Sequence, residues 1–181
     1  MGELQRLKGS QRVRQQVNVM FGNTDIRGSQ QSLFEIGSNS IDRFKKGFGN
    51  RVIITKHSDM SYTVEDFAEG LPMAWNDKEN GFNWDLAIKM LYAGDNYNKD
   101  SEAIGSHGLG LCTSQFSAEF MEVISYRDGK KYTVNCKEGR PIDKDTGEFI
   151  CEDDDPLFTK EQGERVLKIE KNNLYQAEIR L

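Results

Sequence analysis

Apolar and small residues recur at spacings of three and four between residues 29 and 46, which is the rhythm of an α-helix with one buried face. A basic turn at Lys45 and Lys46, followed by Gly47, predicts where this helix ends. The pattern therefore predicts a long amphipathic helix early in the chain. The residues that share its apolar face are Leu33, Ile36, Gly37, Ser40, Ile41 and Phe44.

Shorter stretches rich in branched and aromatic residues predict β-strands. The dipeptide Asp128-Gly129 between two such stretches is a strong hairpin signal. Residues 165–169 fit either a strand or part of a helix. The predicted strands are an antiparallel pair at 51–56 and 61–66, a second pair at 121–127 and 131–136, and a final strand at 177–181.

Helical periodicity returns at residues 84–92 and 111–120, and the stretch from 93 to 106 between them is polar and aperiodic. A loop of that length in a compact domain is usually a functional lid or a disordered segment. Residues 75–82 and the acidic stretch 143–158 also have the composition of loops and turns. The elements predict a single domain over residues 1–181, with residues 1–10 frayed.

Composition narrows the class of protein. The chain has 181 residues, 29% charged and 36% hydrophobic, and a net charge of −5, which is typical of a globular domain and argues against a nucleic-acid-binding surface. No apolar run reaches the length of a membrane span, and no signal peptide is evident. The cysteines, Cys112, Cys136 and Cys151, have no metal-binding spacing and indicate reduced thiols in the cytoplasm, the first two in the core.

A polar stripe of Glu35, Asn39 and Asp42 runs beside the apolar face of the long helix. Asparagine is a mediocre helix former, so its place between two acids calls for a reason. Glu35 could act as a general base, and the amide oxygen of Asn39 could bind Mg²⁺ one turn away. Taken alone, the helix favours the simpler interpretation of a solvated face beside the core.

Two further segments carry candidate chemistry. Asp66 ends a predicted strand before a turn with Gly70 and Pro72, where its carboxylate could either accept a hydrogen bond from an exocyclic amine or cap the turn. Gly105, Gly108 and Gly110 precede a predicted helix, as in a phosphate cradle, although such glycine turns are common. Their spacing matches neither the Rossmann fingerprint nor a Walker A loop.

The order of these motifs resembles the ATPase domain of type IIA DNA topoisomerases, that is, bacterial gyrase B and its topoisomerase IV counterpart, within the GHKL group. The similarity covers about residues 11–137 and rests on several motifs in sequence order. E-x-x-x-N-S-I-D matches Glu35 to Asp42, D-x-G-x-G-I-P matches Asp66, Gly70, Leu71 and Pro72, L-x-A-G matches Leu91, Ala93 and Gly94, G-L-H-G-V-G matches residues 105–110, and R-D-G-K matches residues 127–130.

The resemblance implies an α+β Bergerat (GHKL) fold, a two-layer sandwich with helices on one face of a mixed, mostly antiparallel sheet. It also implies ATP and Mg²⁺ as ligands, a second copy of the subunit and a DNA-cleaving subunit as partners, and no membrane. DNA contacts would come from other domains. By position Glu35 would be the catalytic base and Asn39 the Mg²⁺ ligand, and Arg127 would line the pocket mouth, where coumarin-type inhibitors bind. The nucleotide-binding residues would be Asn39, Asp66, Gly70, Leu71, Pro72, Gly105, His107, Gly108, Gly110 and Arg127.

The chain also departs from the family pattern. The usual Gly and Arg of the turn are Ala68 and Glu69, which predicts the loss of a positive charge near the pocket. The lid lysine has no clear match, since Lys99 is offset, and residues 17–22 replace the usual P-G-M-Y-I-G. The pocket-floor T-G-T has two imperfect candidates, residues 146–148 and 162–164.

The resemblance thus predicts the ATPase domain of a type II DNA topoisomerase, in which Mg²⁺-dependent hydrolysis drives subunit clamping and DNA strand passage. The chain would be a fragment of a longer subunit, with weak hydrolysis alone. The alternative is a nucleotide-binding regulatory module of the same group with little or no catalysis. A mismatch-repair or chaperone ATPase of the group is less well matched, because the Arg127 hairpin and the Glu35 helix favour the topoisomerases.

Overall fold

A computed structural model of the chain describes residues 13–16, 26–89, 110–150, 157–171 and 177–180. Its helices are α1 (Ile26–Lys45), α2 (Asn83–Lys89), α3 (Gly110–Ser117) and α4 (Lys160–Val166). Its strands are β1 (Val52–Lys56), β2 (Tyr62–Asp66), β3 (Trp75–Asn76), β4 (Gly81–Phe82), β5 (Phe120–Arg127), β6 (Lys130–Lys137), β7 (Arg140–Pro141), β8 (Lys168–Lys171) and β9 (Ala177–Arg180).

Seven of these strands form one sheet in the order β1-β2-β9-β5-β6-β7, with β8 also paired to β6. Within the described residues every pairing in this sheet is antiparallel. Strand β9 lies between the β1–β2 hairpin and the β5–β6 hairpin, so a segment late in the sequence joins the two hairpins. Its register sets Ala177 opposite Asp66 on one side and opposite Ser125 on the other.

The core lies between the sheet and the helices. The middle of the β5–β6 hairpin is buried along consecutive residues, so both faces of the sheet are covered there. Met121 opposite Cys136 and Val123 opposite Val134 share one face, because alternate strand residues point to the same side, and all four belong to the main core cluster. Trp84 and Ile88 of α2 pack into the same cluster. Helix α1 contacts β2 and α3, so the helices form a layer over the sheet, as the predicted α+β two-layer architecture requires.

Most predicted elements are confirmed, with shifted ends. Helix α1 begins at Ile26, before the predicted residue 29, and both hairpins lie within a residue of their predicted positions. Two predictions were wrong in part. Residues 75–82 contain the small β3–β4 hairpin, and helix α3 ends at Ser117 because the chain enters β5 at Phe120. The stretch 165–169, left open between strand and helix, divides between α4 and β8.

Two tryptophans and two cysteines have structural positions in the described part of the chain. Trp84 is buried, and Trp75 packs edge-on against Phe82 with ring centroids 5.1 Å apart. Cys112 and Cys136 are buried, as predicted, and burial raises the pKa of the Cys136 thiol to about 12, so it stays protonated and unreactive at neutral pH. Cys151 lies outside the described residues.

A buried ion pair holds α2 against the segment that leads into α4. The Lys89 ammonium lies 2.9 Å from the Asp85 carboxylate, and both side chains are almost fully buried. The backbone N–H of Phe158 donates to the second Asp85 oxygen at 2.6 Å, and Lys89 lies 3.7 Å from the centroid of the Phe158 ring. Burial raises the pKa of Asp85, and the neighbouring Lys89 partly opposes that shift.

Because a buried charge without its partner is costly, we expect Lys89→Met to lower the free energy of unfolding by about 3–5 kcal/mol, as measured by urea denaturation. Asp85→Asn keeps an acceptor for the Phe158 N–H, so the double variant Asp85→Asn/Lys89→Met should be more stable than Lys89→Met alone. Lys168→Met, which breaks the exposed Lys168–Glu170 pair, is the control and should have little effect. Equal losses in the single and double variants would show that packing of the Lys89 stem, not its charge, is what matters.

Candidate functional site

Helix α1 and the end of β2 are joined by a hydrogen bond between two side chains. The Ser40 hydroxyl donates to Oδ2 of Asp66 at 2.7 Å, and the backbone N–H of Ala68 donates to Oδ1 at 3.1 Å. The second contact arises because the chain turns immediately after β2. The turn brings the backbone N–H of the residue two positions later close to the Asp66 carboxylate. Asp66 is therefore held at the junction of helix, strand and turn.

The turn after Asp66 is fastened to β5. Gly70 has φ +77°, and a Cβ there would lie 2.4 Å from the carbonyl oxygen of Tyr126, so only glycine fits. Arg127 donates to the Gly70 carbonyl at 2.9 Å, and the Ser125 hydroxyl donates to the Leu71 carbonyl at 2.8 Å. Strand β5 thus fixes the turn on which three predicted site residues, Gly70, Leu71 and Pro72, lie.

Glu35 lies against the start of α3. A Cβ placed on Gly110 would be 2.7 Å from Cβ of Glu35 and 3.2 Å from its Oε2, so glycine permits this close approach. Gln31, one turn earlier, donates its side-chain amide to Oε1 of Glu35 at 2.9 Å. The predicted base and the last glycine of the predicted phosphate cradle are therefore brought together.

The helix faces differ in part from the prediction. Glu35 is half-buried and Asn39 is exposed, but Asp42 is 4% exposed and so does not lie on a solvated stripe. Ile41, predicted to share the apolar face, is 43% exposed. Ser40 does lie on the buried side of the helix, as predicted. A buried hydroxyl needs a hydrogen-bond partner, and for Ser40 that partner is the Asp66 carboxylate.

The donors available for a metal suit Mg²⁺ bound together with phosphate. Asn39 follows Glu35 by one helical turn, about 6 Å along the axis. Within the described part of the chain, no group of three His, Cys, Asp or Glu side chains could hold a metal ion. A lone amide oxygen fits Mg²⁺, since this ion keeps several waters and takes phosphate oxygens as further ligands.

Two features of the pocket surroundings bear on the departures from the family pattern. Glu69, which stands where the family has arginine, is paired with α1, since the Arg43 guanidinium lies 2.9 Å from its carboxylate. Neither candidate for the pocket-floor strand pairs with β2, since residues 146–148 lie in a turn and residues 162–164 in α4. The strand beside Asp66 is β9, with Ala177 opposite it.

Several predicted site residues lie outside the described ranges. These are Gly105, His107 and Gly108, together with Leu91, Ala93, Gly94, Lys99 and the segment 17–22. His57, expected at the surface, is half-buried and shares a 2.7 Å hydrogen bond with the Thr63 hydroxyl. No helix in the described ranges is both long and apolar enough to cross a membrane.

Comparison with known proteins identifies relatives of the chain. The chain is 33% identical to the B subunit of DNA gyrase from Thermotoga maritima over 138 residues, which is 75% of the chain and 22% of the relative. It is 30% identical to the B subunit of DNA topoisomerase 4 from Staphylococcus epidermidis over 138 residues, 75% of the chain and 21% of the relative. No protein-family model matches the chain.

A solved structure shares the fold. The 43K ATPase domain of Thermus thermophilus gyrase B in complex with an aminocoumarin superposes with a TM-score of 0.71 at 19% identity, over 96% of this chain and 38% of that one. The fold is therefore that of the GHKL ATPases. The chain itself belongs to the family of gyrase B and topoisomerase IV B, the type IIA topoisomerases, and it spans about a fifth of the length of those curated relatives.

The Arg43–Glu69 pair can be tested by exchanging its charges. Each single variant, Arg43→Glu or Glu69→Arg, sets like charges together and should lower the free energy of unfolding by up to about 1 kcal/mol, as expected for a partly exposed pair. The double variant Arg43→Glu/Glu69→Arg should recover most of that loss in thermal denaturation at low salt, and about 1 M salt should shrink all the differences. A double variant as unstable as the sum of the singles would contradict this pairing.

Proposed function

We propose that this chain is the ATP-binding part of a type II DNA topoisomerase subunit, with Mg²⁺-dependent hydrolysis of ATP. The observation that carries the proposal is the position of Asp66, which Ser40 ties to the same helix whose Glu35 lies against Gly110. An adenine-reading carboxylate and a general base are thus carried by elements in direct contact. The similarity to the B subunits of DNA gyrase and DNA topoisomerase 4 supports the same assignment.

In this proposal Asp66 recognises the exocyclic amine of adenine. Each carboxylate oxygen already accepts one hydrogen bond from the protein. An ionised carboxylate has about four lone-pair sites, so each oxygen can accept a second bond from a ligand. The turn residues Gly70, Leu71 and Pro72 lie alongside, and Arg127 secures that turn through the Gly70 carbonyl.

Glu35 accepts a proton from the water that attacks the terminal phosphate, and Gln31 holds its carboxylate in place. Asn39 holds Mg²⁺ by its amide oxygen, and the ion when bound neutralises charge on the phosphates. Gly105, His107, Gly108 and Gly110 wrap the phosphates. The position of Gly110 supports a role in phosphate binding. It begins α3 close to Glu35, and the free N–H groups at a helix start favour a bound anion.

The activity of the whole protein is a further part of the proposal. ATP binding closes a dimer of the subunit, and the full enzyme, with its DNA-cleaving partner, passes one DNA segment through another in the cytoplasm. The resemblance implies that hydrolysis in the family needs the dimer, so slow turnover is expected of a monomer.

A second candidate is a nucleotide-binding regulatory module of the same group with little or no catalysis. Ala68 and Glu69, which replace the usual Gly and Arg of the turn, favour it, since they alter the surroundings of the predicted pocket. The two candidates share nucleotide binding and differ in turnover.

We expect Asp66→Asn to weaken binding of a non-hydrolysable ATP analogue by about 10–100-fold, because a hydrogen bond to a charged group is lost. Isothermal titration calorimetry with and without Mg²⁺ measures this, and Mg²⁺ should tighten wild-type binding. Glu65→Gln, at the neighbouring position of β2 on the opposite face of the sheet, is the matched control. Unchanged affinity in Asp66→Asn would refute the assignment of the adenine site.

Glu35→Gln should leave the affinity for the analogue within about threefold and lower the rate of phosphate release by about 10²–10⁴-fold, the usual contribution of a general base. Phosphate release is measured with concentrated protein so that slow turnover is detectable. Equal, background-level release from wild type and Glu35→Gln, with intact binding, would favour the regulatory module instead.

A further inference from the structure

Helices α1 and α3 are tied together by a hydrogen bond between two side chains. The hydroxyl oxygens of Ser32 in α1 and Ser114 in α3 lie 2.6 Å apart, so one hydroxyl donates to the other. Ser114 is 1% exposed and Ser32 is half-buried, which places the bond inside the interface between the helices. Both residues are small, and neither has a place in the chemistry proposed above.

This serine pair lies about one helical turn from the contact between Glu35 and Gly110. Ser32 precedes Glu35 by three residues, which is about 4.5 Å along α1. Ser114 follows Gly110 by four residues, which is about 6 Å along α3. The helices therefore pass each other in opposite directions, and a shift of α3 along α1 would change both contacts together.

The two contacts restrain the helices in different ways. A Cβ on Gly110 would lie 2.7 Å from Cβ of Glu35, so this contact limits how closely the helices approach but has no preferred direction. The bond between the serines is directional, because hydrogen bonds weaken steeply away from a straight geometry, and it opposes sliding and rotation of α3. Gln31 holds the Glu35 carboxylate from within α1, so the place of that carboxylate beside Gly110 depends on how the helices are aligned.

We propose that Ser32 and Ser114 are positioning residues that align the start of α3 with Glu35 and so shape the subsite for the terminal phosphate of ATP. This inference rests on the proposed function, which takes Glu35 as the base and Gly110 as part of the phosphate site. Its consequence is a preference for triphosphates. ADP lacks the terminal phosphate, so its binding should depend little on the alignment of these helices.

The test compares by calorimetry the affinities of a non-hydrolysable ATP analogue and of ADP, both with Mg²⁺. Ser32→Ala and Ser114→Ala should each lower the ratio of the two affinities about three- to tenfold, the range expected for the loss of one hydrogen bond. The fall should come from weaker binding of the analogue, with the affinity for ADP nearly unchanged.

The double variant separates positioning from a purely structural role. Ser32→Ala leaves the buried Ser114 hydroxyl without its partner across the interface, so it should be less stable in urea than Ser114→Ala. Ser32→Ala/Ser114→Ala removes that hydroxyl and should be more stable than Ser32→Ala. Its affinity ratio should nevertheless stay as low as in the single variants, because the directional bond is still missing. With a purely structural pair, the ratio would instead recover together with the stability.

Ser117→Ala is the matched control. Ser117 also lies in α3, but its hydroxyl donates to the carbonyls of Thr113 and Ser114 within the same helix. This variant should keep the wild-type ratio. Thermal denaturation checks that each variant is folded at the titration temperature, and Ser114→Ala, the milder of the two single variants, carries the comparison if Ser32→Ala is unfolded.

Four results would overturn the inference. They are a wild-type ratio in Ser114→Ala, a ratio in the double variant that recovers with stability, an equal fall in Ser117→Ala, and a wild-type chain that binds ADP as tightly as the analogue. A wild-type chain that binds neither nucleotide would instead overturn the proposed function, and this inference with it.

Discussion

The hydrogen bond between Ser40 and Asp66 connects the two layers of this domain at the point where chemistry is expected. It fastens α1, which carries Glu35 and Asn39, to the end of β2, which begins the turn through Gly70. Strand β5 holds the same turn from the other side through Ser125 and Arg127. The relative placement of Glu35, Asn39 and Asp66, the proposed base, metal ligand and adenine acceptor, therefore depends on a few directed bonds and not on general apolar packing alone.

Local patterns in the sequence predicted the elements that organise the site. The three-and-four spacing around Ile36 predicted α1, alternation predicted both hairpins, and the turn signal after Asp66 placed a carboxylate at a strand end. Cys136 was also correctly predicted to lie in the core. These features are local, because hydrophobic periodicity and turn-forming residues depend only on positions within or next to each element.

Features that depend on distant residues could not be read in the same way. Nothing near Ala177 indicates that its strand enters the sheet between β2 and β5, and neither of the two pocket-floor candidates lies beside β2. The ion pair between Arg43 and Glu69 joins positions far apart in sequence. Helix faces were also set by tertiary contacts, since Asp42 is buried and Ile41 is exposed against the simple helical pattern.

The sheet order has a consequence for how the domain assembles. The β1–β2 and β5–β6 hairpins contain only short-range pairings, so each can form as soon as its own residues are available. Strand β9 must close a loop of more than a hundred residues to reach β2, and such closure is entropically late. The sheet beside Asp66 is therefore continuous only once β9 has paired with both hairpins. Nucleotide binding would then report a completed sheet, because Asp66 lies at the strand that β9 joins to the rest.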